Sequence, residues 1–375
     1  MIEAEAARPI SFGARATFNY VHSPLFDWTF FLAPFWASLL YLGLITAFPA
    51  HVALIFVLSY IVLAETHFAS TWTIYLDPDN RREYRARQSV YYWVPLGIMA
   101  GCVLLAWAVS LKVTLLFGAL VSGVHVTRQS TGIVALYRAK ARQLEPAHKR
   151  WENLTLYLAS GTFLAIGFRR FYVGPSSSFG VLSQAFHPLI PLLDAGIAAL
   201  ALGALFSVGR VVLLEARRVQ ENKELSASKL VALGYSVFLY SPYLFATRME
   251  DAVAIGVGIH YVQYLGIVWL LNKNKYTVGT VAGPRPTLDR RVLGWLSQKL
   301  WVRWPYLLFY AAVMAYLRQG GFRWDTLAPA SWLYSIPIGL QVVHYHLDAF
   351  IWRFSNPYIR ANVLPYLRRI EAPGD

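Results

Sequence analysis

The chain has 375 residues, 57% of them hydrophobic and 14% charged, with a mean hydropathy of +0.42. Soluble domains carry about 25% charged residues, so composition excludes an ordinary soluble enzyme and points to a chain embedded in a membrane. One cysteine, Cys102, excludes an internal disulfide and a thiolate metal cluster, and the net charge of +14 calls for an anionic counterpart, either nucleic acid or a lipid surface.

Residues 1–27 hold acids, Arg8 and Arg15 but no short apolar core ahead of a small-residue cleavage site, so no cleaved signal peptide is expected. They read as a cytoplasmic N-terminal segment. Apolar runs near the 20 residues needed to cross about 30 Å of hydrocarbon then recur. The predicted spans are 28–48, 52–75, 91–110, 113–137, 153–168, 189–209, 229–246, 252–272, 301–318 and 329–352. The expected fold is all-α, a polytopic bundle of about ten transmembrane helices forming one domain over 28–352, with an interfacial tail at 353–375. "TLDRRVLGWLSQKLW" (287–301) and "PYIRANVLPYLRR" (357–369) have apolar residues at helical spacing and read as membrane-surface anchors.

Basic residues divide unevenly between the two sides. With the N-terminus inside, cytoplasmic segments hold 26 Lys and Arg, and the opposite side holds six. That bias places both termini in the cytoplasm. The charge is thus accounted for by topology and anionic lipid, with no call for nucleic acid. An integral multi-pass protein is expected, in the plasma (inner) membrane if the source is bacterial.

Five histidines fall inside these spans: His67 in "AETHFASTW", His125 in "SGVHVTRQSTG", His260 in "VGIHYVQYLG", and His344 and His346 in "QVVHYHLDAFIW". An ionisable side chain at that depth costs roughly 2–3 kcal/mol or more. Four of the spans, the second, fourth, eighth and tenth, run in the same direction. Each places a histidine some 8 to 12 residues before the inner end, roughly 12–18 Å of helix. His67, His125, His260 and His344 are therefore expected in one layer, as ligands of one metal ion.

Helical phase sorts their neighbours. Gln341, His344 and Asp348 share a face, so Asp348 joins the ligand set or orients an imidazole. His346, about 200° around the helix from His344, faces elsewhere. His125 shares its face with Arg128 and Gln129, His260 with Gln263 and Tyr264, and His67 with Ser70 and Thr71; Glu65 faces away. Arg128, Gln263 and Tyr264 are the candidate catalytic side chains. Arg128 either snorkels toward the cytoplasm or partners Asp348, Glu65 or an anionic substrate group.

Imidazoles with at most one carboxylate and no thiolate suit iron(II), zinc or copper. Iron with open coordination positions could activate dioxygen against a lipid-soluble substrate. The clustered HxxxH and HxxHH boxes of membrane di-iron desaturases are absent, as are an HExxH helix and a glycine-rich phosphate loop. With His67, His125, His260 and His344 on separate spans, the chain resembles in kind the Brp/Blh-type membrane carotene dioxygenases, polytopic proteins with one histidine-held iron. That resemblance implies oxygenation or oxidative cleavage of an isoprenoid or acyl lipid. The leading expectation is an intramembrane non-haem iron oxygenase, an oxidoreductase. The alternatives are a bis-histidine haem protein with quinone traffic and a proton-coupled transporter lined by His, Arg128 and Asp348.

Overall fold

The computed structural model describes residues 16–173, 183–184, 186–221, 223–277, 288–298, 300–319 and 333–367. Among these the chain is helical apart from short connections and one two-residue parallel pairing of Ala16–Thr17 with Leu225–Ser226. The fold is all-α, as its apolar runs dictate.

Twelve helices carry the architecture. They are α1 (Pro24–Leu32), α2 (Trp36–Ala47), α3 (Pro49–Tyr75), α4 (Ser89–Ala108), α5 (Leu111–Lys140) and α6 (Pro146–Gly167). The others are α7 (His187–Gln220), α8 (Ala227–Val237), α9 (Met249–Thr277), α10 (Leu288–Gln298), α11 (Leu300–Gln319) and α12 (Ser335–Ile351). Local chemistry sets several starts. Ser110 caps α5 by accepting from the Lys112 amide at 3.0 Å, Ser226 caps α8 through Lys229, and Pro146 opens α6 where its missing N–H costs nothing.

By length and composition five helices can cross a membrane: α3, α4, α5, α7 and α9. A sixth crossing arises if α1 and α2, bent by 57°, act together. The remaining predicted spans take other forms. The stretch 229–246 breaks after Val237 and resumes as the short helix Pro242–Phe245, α11 contains Pro305, and α12 is 17 residues long. Residues 329–332 of the last predicted span, like 1–15 and 368–375 of the terminal segments, lie outside the described residues. Several long apolar helices thus mark a multi-pass membrane protein, and among the described residues five helices, or six counting the bent pair, are long and apolar enough to cross.

Lipid-facing surface and core separate cleanly. On α7, Leu202, Leu205 and Phe206 are exposed, as an apolar helix surface in hydrocarbon should be. On α9, by contrast, 72% of the most apolar stretch is buried inside the protein, against 17–33% for the other crossings. Helix α9 is therefore the hub. Gly256 brings it against the Leu239 carbonyl and Gly266 brings it against Phe30, where an added Cβ would sit 2.6 Å from each. Around this hub α3 packs on α9, α9 on α5, α5 on α12 and α12 on α3, closing a four-helix ring.

Helix α10 forms within the stretch 287–301 and is amphipathic, as its spacing requires. Leu288, Val292 and Trp295 are exposed along one stripe, and Arg81 ties the helix down through Asp289 at 2.5 Å. Some of the basic residues assigned to the lipid surface are internal instead. Lys229 is fully buried between Glu152 (2.8 Å) and Glu215 (2.5 Å); Arg138 joins Glu152 at 2.6 Å, and Arg218 is bound to Glu145 at 2.7 Å. This knot staples α5, α6, α7 and α8.

Candidate metal centre

Each helix of the ring contributes one histidine, and all four are buried: His67 at 0% exposure, His260 and His344 at 1%, and His125 at 8%. Ring centroids lie 4.7 Å apart for His67–His260, 5.0 Å for His260–His125, 4.9 Å for His125–His344 and 4.5 Å for His344–His67. The His67–His125 diagonal is 6.5 Å. Four near-equal sides with a longer diagonal describe a square of imidazoles, in the order in which the helices pack.

One nitrogen from each ring lies within 4.8 Å of the others. Imidazole nitrogens bound to a common ion at about 2.0–2.1 Å are at most about 4.2 Å apart, so a small contraction would bring them to ligand distance. The nitrogens themselves ask for a partner. Among the described residues neither ring nitrogen of His260 has a hydrogen bond, nor does Nε2 of His125 or His344, and the His67 ring has only the Ala64 backbone beside it. Leaving one buried polar atom unsatisfied costs roughly 1–3 kcal/mol, and four rings that each offer one nitrogen to the same point fit a cation. The four histidines could therefore hold a metal ion.

One turn further along each helix lies a polar residue: Thr71, Gln129, Tyr264 and Asp348 follow their histidines by four positions. Tyr264 touches both Thr71 and Asp348, which requires α3, α9 and α12 to point the same way. The Tyr264 hydroxyl donates its only proton to Asp348 Oδ1 at 2.7 Å, so its oxygen accepts from Thr71 at 2.7 Å. Thr71 has then used its proton, and its oxygen must accept from Nδ1–H of His344 at 2.6 Å. The chain His344–Thr71–Tyr264–Asp348 thus fixes the tautomer of His344 and leaves its Nε2 lone pair facing the square.

Asp348 stands beside the square rather than among its corners. Its Oδ2 lies 3.7 Å from His344 Nε2 and 3.9 Å from His125 Nε2, near enough to approach a bound ion or hold a water on it. Gln263 and Gln129 form a neighbouring polar string: Gln129 donates to the His260 carbonyl at 3.1 Å and to Gln263 at 3.3 Å, and Gln263 donates to Tyr235 at 2.6 Å. Gln263 therefore supports α9 and does not touch the imidazoles through its amide. Arg128 is exposed on α5, one turn past His125 and close enough for its charge to be felt there, with no direct contact to an imidazole among the described residues. His346 points away, its Nε2 bonded to the Val90 carbonyl at 2.8 Å, as its phase required.

On the other side of the square Phe68, Tyr261 and Tyr345 lay rings against the histidines, with Tyr345 stacked on His125 at 4.5 Å. They floor a cavity of about 230 Å³ that runs away from the centre. The centre thus has an aromatic cavity on one face and a hydrogen-bonded carboxylate on the other. The chain matches no known protein family. Comparison with curated proteins and with solved structures likewise finds no match. The likeness to Brp/Blh-type dioxygenases therefore stays at the level of a buried four-histidine cluster in a helical membrane protein.

Sequence phase placed Gln341 with His344 and Asp348, but Gln341 donates to the Tyr60 hydroxyl in the cavity wall. Glu65, expected to face away, also lines the cavity and pairs with Arg318 at 2.7 Å. The reason is a π-helical turn at Tyr60–Glu65, which shifts the face of α3 just before His67. A second cluster, His148, Glu152 and Glu215, also has metal-ligand spacing and went unread in the sequence. Lys229 Nζ already lies between its two carboxylates, so that cluster is a buried ion-pair knot. Its only sequence signal is polar residues on the apolar helices α6 and α7.

Proposed function

We propose that the protein is an intramembrane non-haem iron oxygenase acting on a lipid-soluble substrate. The observation that carries this reading is the square of four buried imidazoles whose inward nitrogens lack partners. A nitrogen-rich, thiolate-free donor set suits iron(II) over harder cations, and zinc or copper would also accept it. Iron(II) bound there would supply one-electron chemistry with dioxygen at coordination positions that the protein leaves open.

The chain's own residues have definable roles. His67, His125, His260 and His344 would hold the ion. Thr71 and Tyr264 orient His344 and the Asp348 carboxylate through the directional chain described above. Asp348 Oδ2 is the nearest acceptor on one face and is suited to hold a proton or a water there. Phe68, Tyr261 and Tyr345 keep the other face dry, so an apolar substrate meets the centre without water.

The packing argues against haem, because four imidazoles with sides of 4.5–5.0 Å leave no plane for a porphyrin between them. Metal analysis of detergent-purified protein tests the proposal: about one iron per chain is expected, with no haem absorbance. Protein carrying no transition metal refutes it. Metal that stays bound while the protein moves a solute and consumes no dioxygen would make it a carrier instead.

A further inference from the structure

The cavity carries more information than its volume. Apart from Phe68, Tyr261 and Tyr345, each one residue past its histidine, its lining residues on α3, α5, α9 and α12 precede the histidines, so it extends from one face of the square. Along α9 it reaches from Tyr261, beside His67, back to Met249 and Glu250 at the helix start, about 18 Å of helix. The space is therefore long and walled by aliphatic side chains interleaved with aromatic rings such as Tyr60, Tyr240 and Tyr261.

Its buried charged groups are Glu65 and Arg318, whereas Glu250 at the far end is partly exposed and faces Arg248. Glu65 lies two residues before His67 and Gln341 three before His344, so both sit at the end nearest the centre. Arg318, 6% exposed, pairs with Glu65 and lies over the Tyr60 ring at 4.9 Å. The pair is internally neutral. Arg318 Nε nevertheless has no hydrogen-bond partner, and Glu65 Oε1 has only the ion pair. A carboxylate ligand would face Glu65 and an ammonium would face Arg318. A hydroxyl can donate to Glu65 or accept from Arg318 without disturbing the pair, a carbonyl can accept from Arg318, and an unfunctionalised hydrocarbon would leave the Nε donor buried and unsatisfied.

We infer that the cavity binds an elongated apolar molecule with a neutral hydrogen-bonding terminus, inserted terminus first, so that the functionalised end lies beside the four histidines and the tail points toward Met249. This rests on the reading of the centre as the reactive site, but the binding can be tested separately from the metal. The Glu65–Arg318 pair, with Tyr60 and Gln341 behind it, would be the specificity-determining element.

The test uses the full-length protein in bilayer nanodiscs with tetradecanol, tetradecanoic acid, tetradecylamine and tetradecane as probes. Tetradecanol should bind at least about tenfold more tightly than the other three, the ratio expected for one buried hydrogen bond made or lost. Tetradecanol bearing a diazirine next to the hydroxyl should label the Tyr60–Glu65 segment or Gln341, and a diazirine at the far end should label Tyr172, Met249 or Glu250. Equal affinities, or the reversed labelling pattern, would overturn the inference. Replacing Glu65→Gln and Arg318→Gln together should erase the preference for the alcohol while metal content stays at the parental level. If that pair does not fold, Tyr60→Phe should lower the preference at least threefold, on the order of one weak hydrogen bond. Iron-loaded protein that fails the labelling test sinks only this inference; correct labelling without bound metal sinks only the oxygenase reading.

Discussion

Replacing Thr71 with valine tests whether the hydrogen-bond chain beneath the histidines matters to metal binding. The two side chains are close in shape, so the change removes a hydroxyl with little change in volume. Two contacts disappear, the acceptor for His344 Nδ1–H at 2.6 Å and the donor to Tyr264 at 2.7 Å. His344 then has no reason to keep its proton on Nδ1 and can turn Nε2–H toward the square, blocking a ligand. Losing a hydrogen bond of this kind costs metal sites about 10–100-fold in affinity, or about 1.4–2.7 kcal/mol. The assay is competition for iron(II) or zinc against a chromophoric chelator, run beside Thr71→Ser, which keeps the hydroxyl and should retain most of the affinity. Folded Thr71→Val protein that binds metal within about twofold of the parent would refute the tautomer argument, since the expected loss is at least tenfold.

Other substitutions separate the centre from its surroundings. His125→Ala and His344→Ala should each weaken metal binding by more than about 100-fold, beyond the range for supporting residues, whereas His346→Ala should leave metal content unchanged; elemental analysis of the purified variants checks all three. Lys229→Met leaves Glu152 and Glu215 buried without their shared cation and should destabilise the fold by about 3–5 kcal/mol, read as a lower midpoint in thermal unfolding, while surviving folded protein keeps its metal. Gly256→Ala drives a methyl to 2.6 Å from the Leu239 carbonyl oxygen. Backbone yields less easily than a side chain there, so a loss of about 1–3 kcal/mol is expected, measurable in the same thermal experiment.

Helical periodicity made a good part of the site legible. His67, His125, His260 and His344 could be grouped because depth along a helix is a linear function of residue number, and His346 could be set aside because phase is too. Glu65 is harder to place from sequence: phase counting assumes a regular helix, and the π-helical turn at Tyr60–Glu65 violates that assumption. Arg128, on the same helical face as His125 by spacing, proves exposed because a side chain three residues away can already lie at the edge of the buried face. Arg318 entered the sequence reading only as one charge among six on the outer side. Its partnership with Glu65 spans more than 250 residues of chain and leaves no local trace.

The amino-acid sequence by itself determined that this is a helical membrane protein and that ionisable groups buried at one depth need a common purpose, because hydrophobicity and helical rise are local properties. Only the tertiary structure decided the cyclic order of the four histidines, the proton direction from His344 to Asp348, and the side of the square on which the cavity opens. Those depend on which helices become neighbours, and that is set by packing around α9, where small residues such as Gly256 and Gly266 admit close approach. The same packing explains why Lys229, by sequence one more positive charge at the membrane surface, is a buried counter-ion: neighbouring helices deliver Glu152 and Glu215 to it, and no local pattern records that they will.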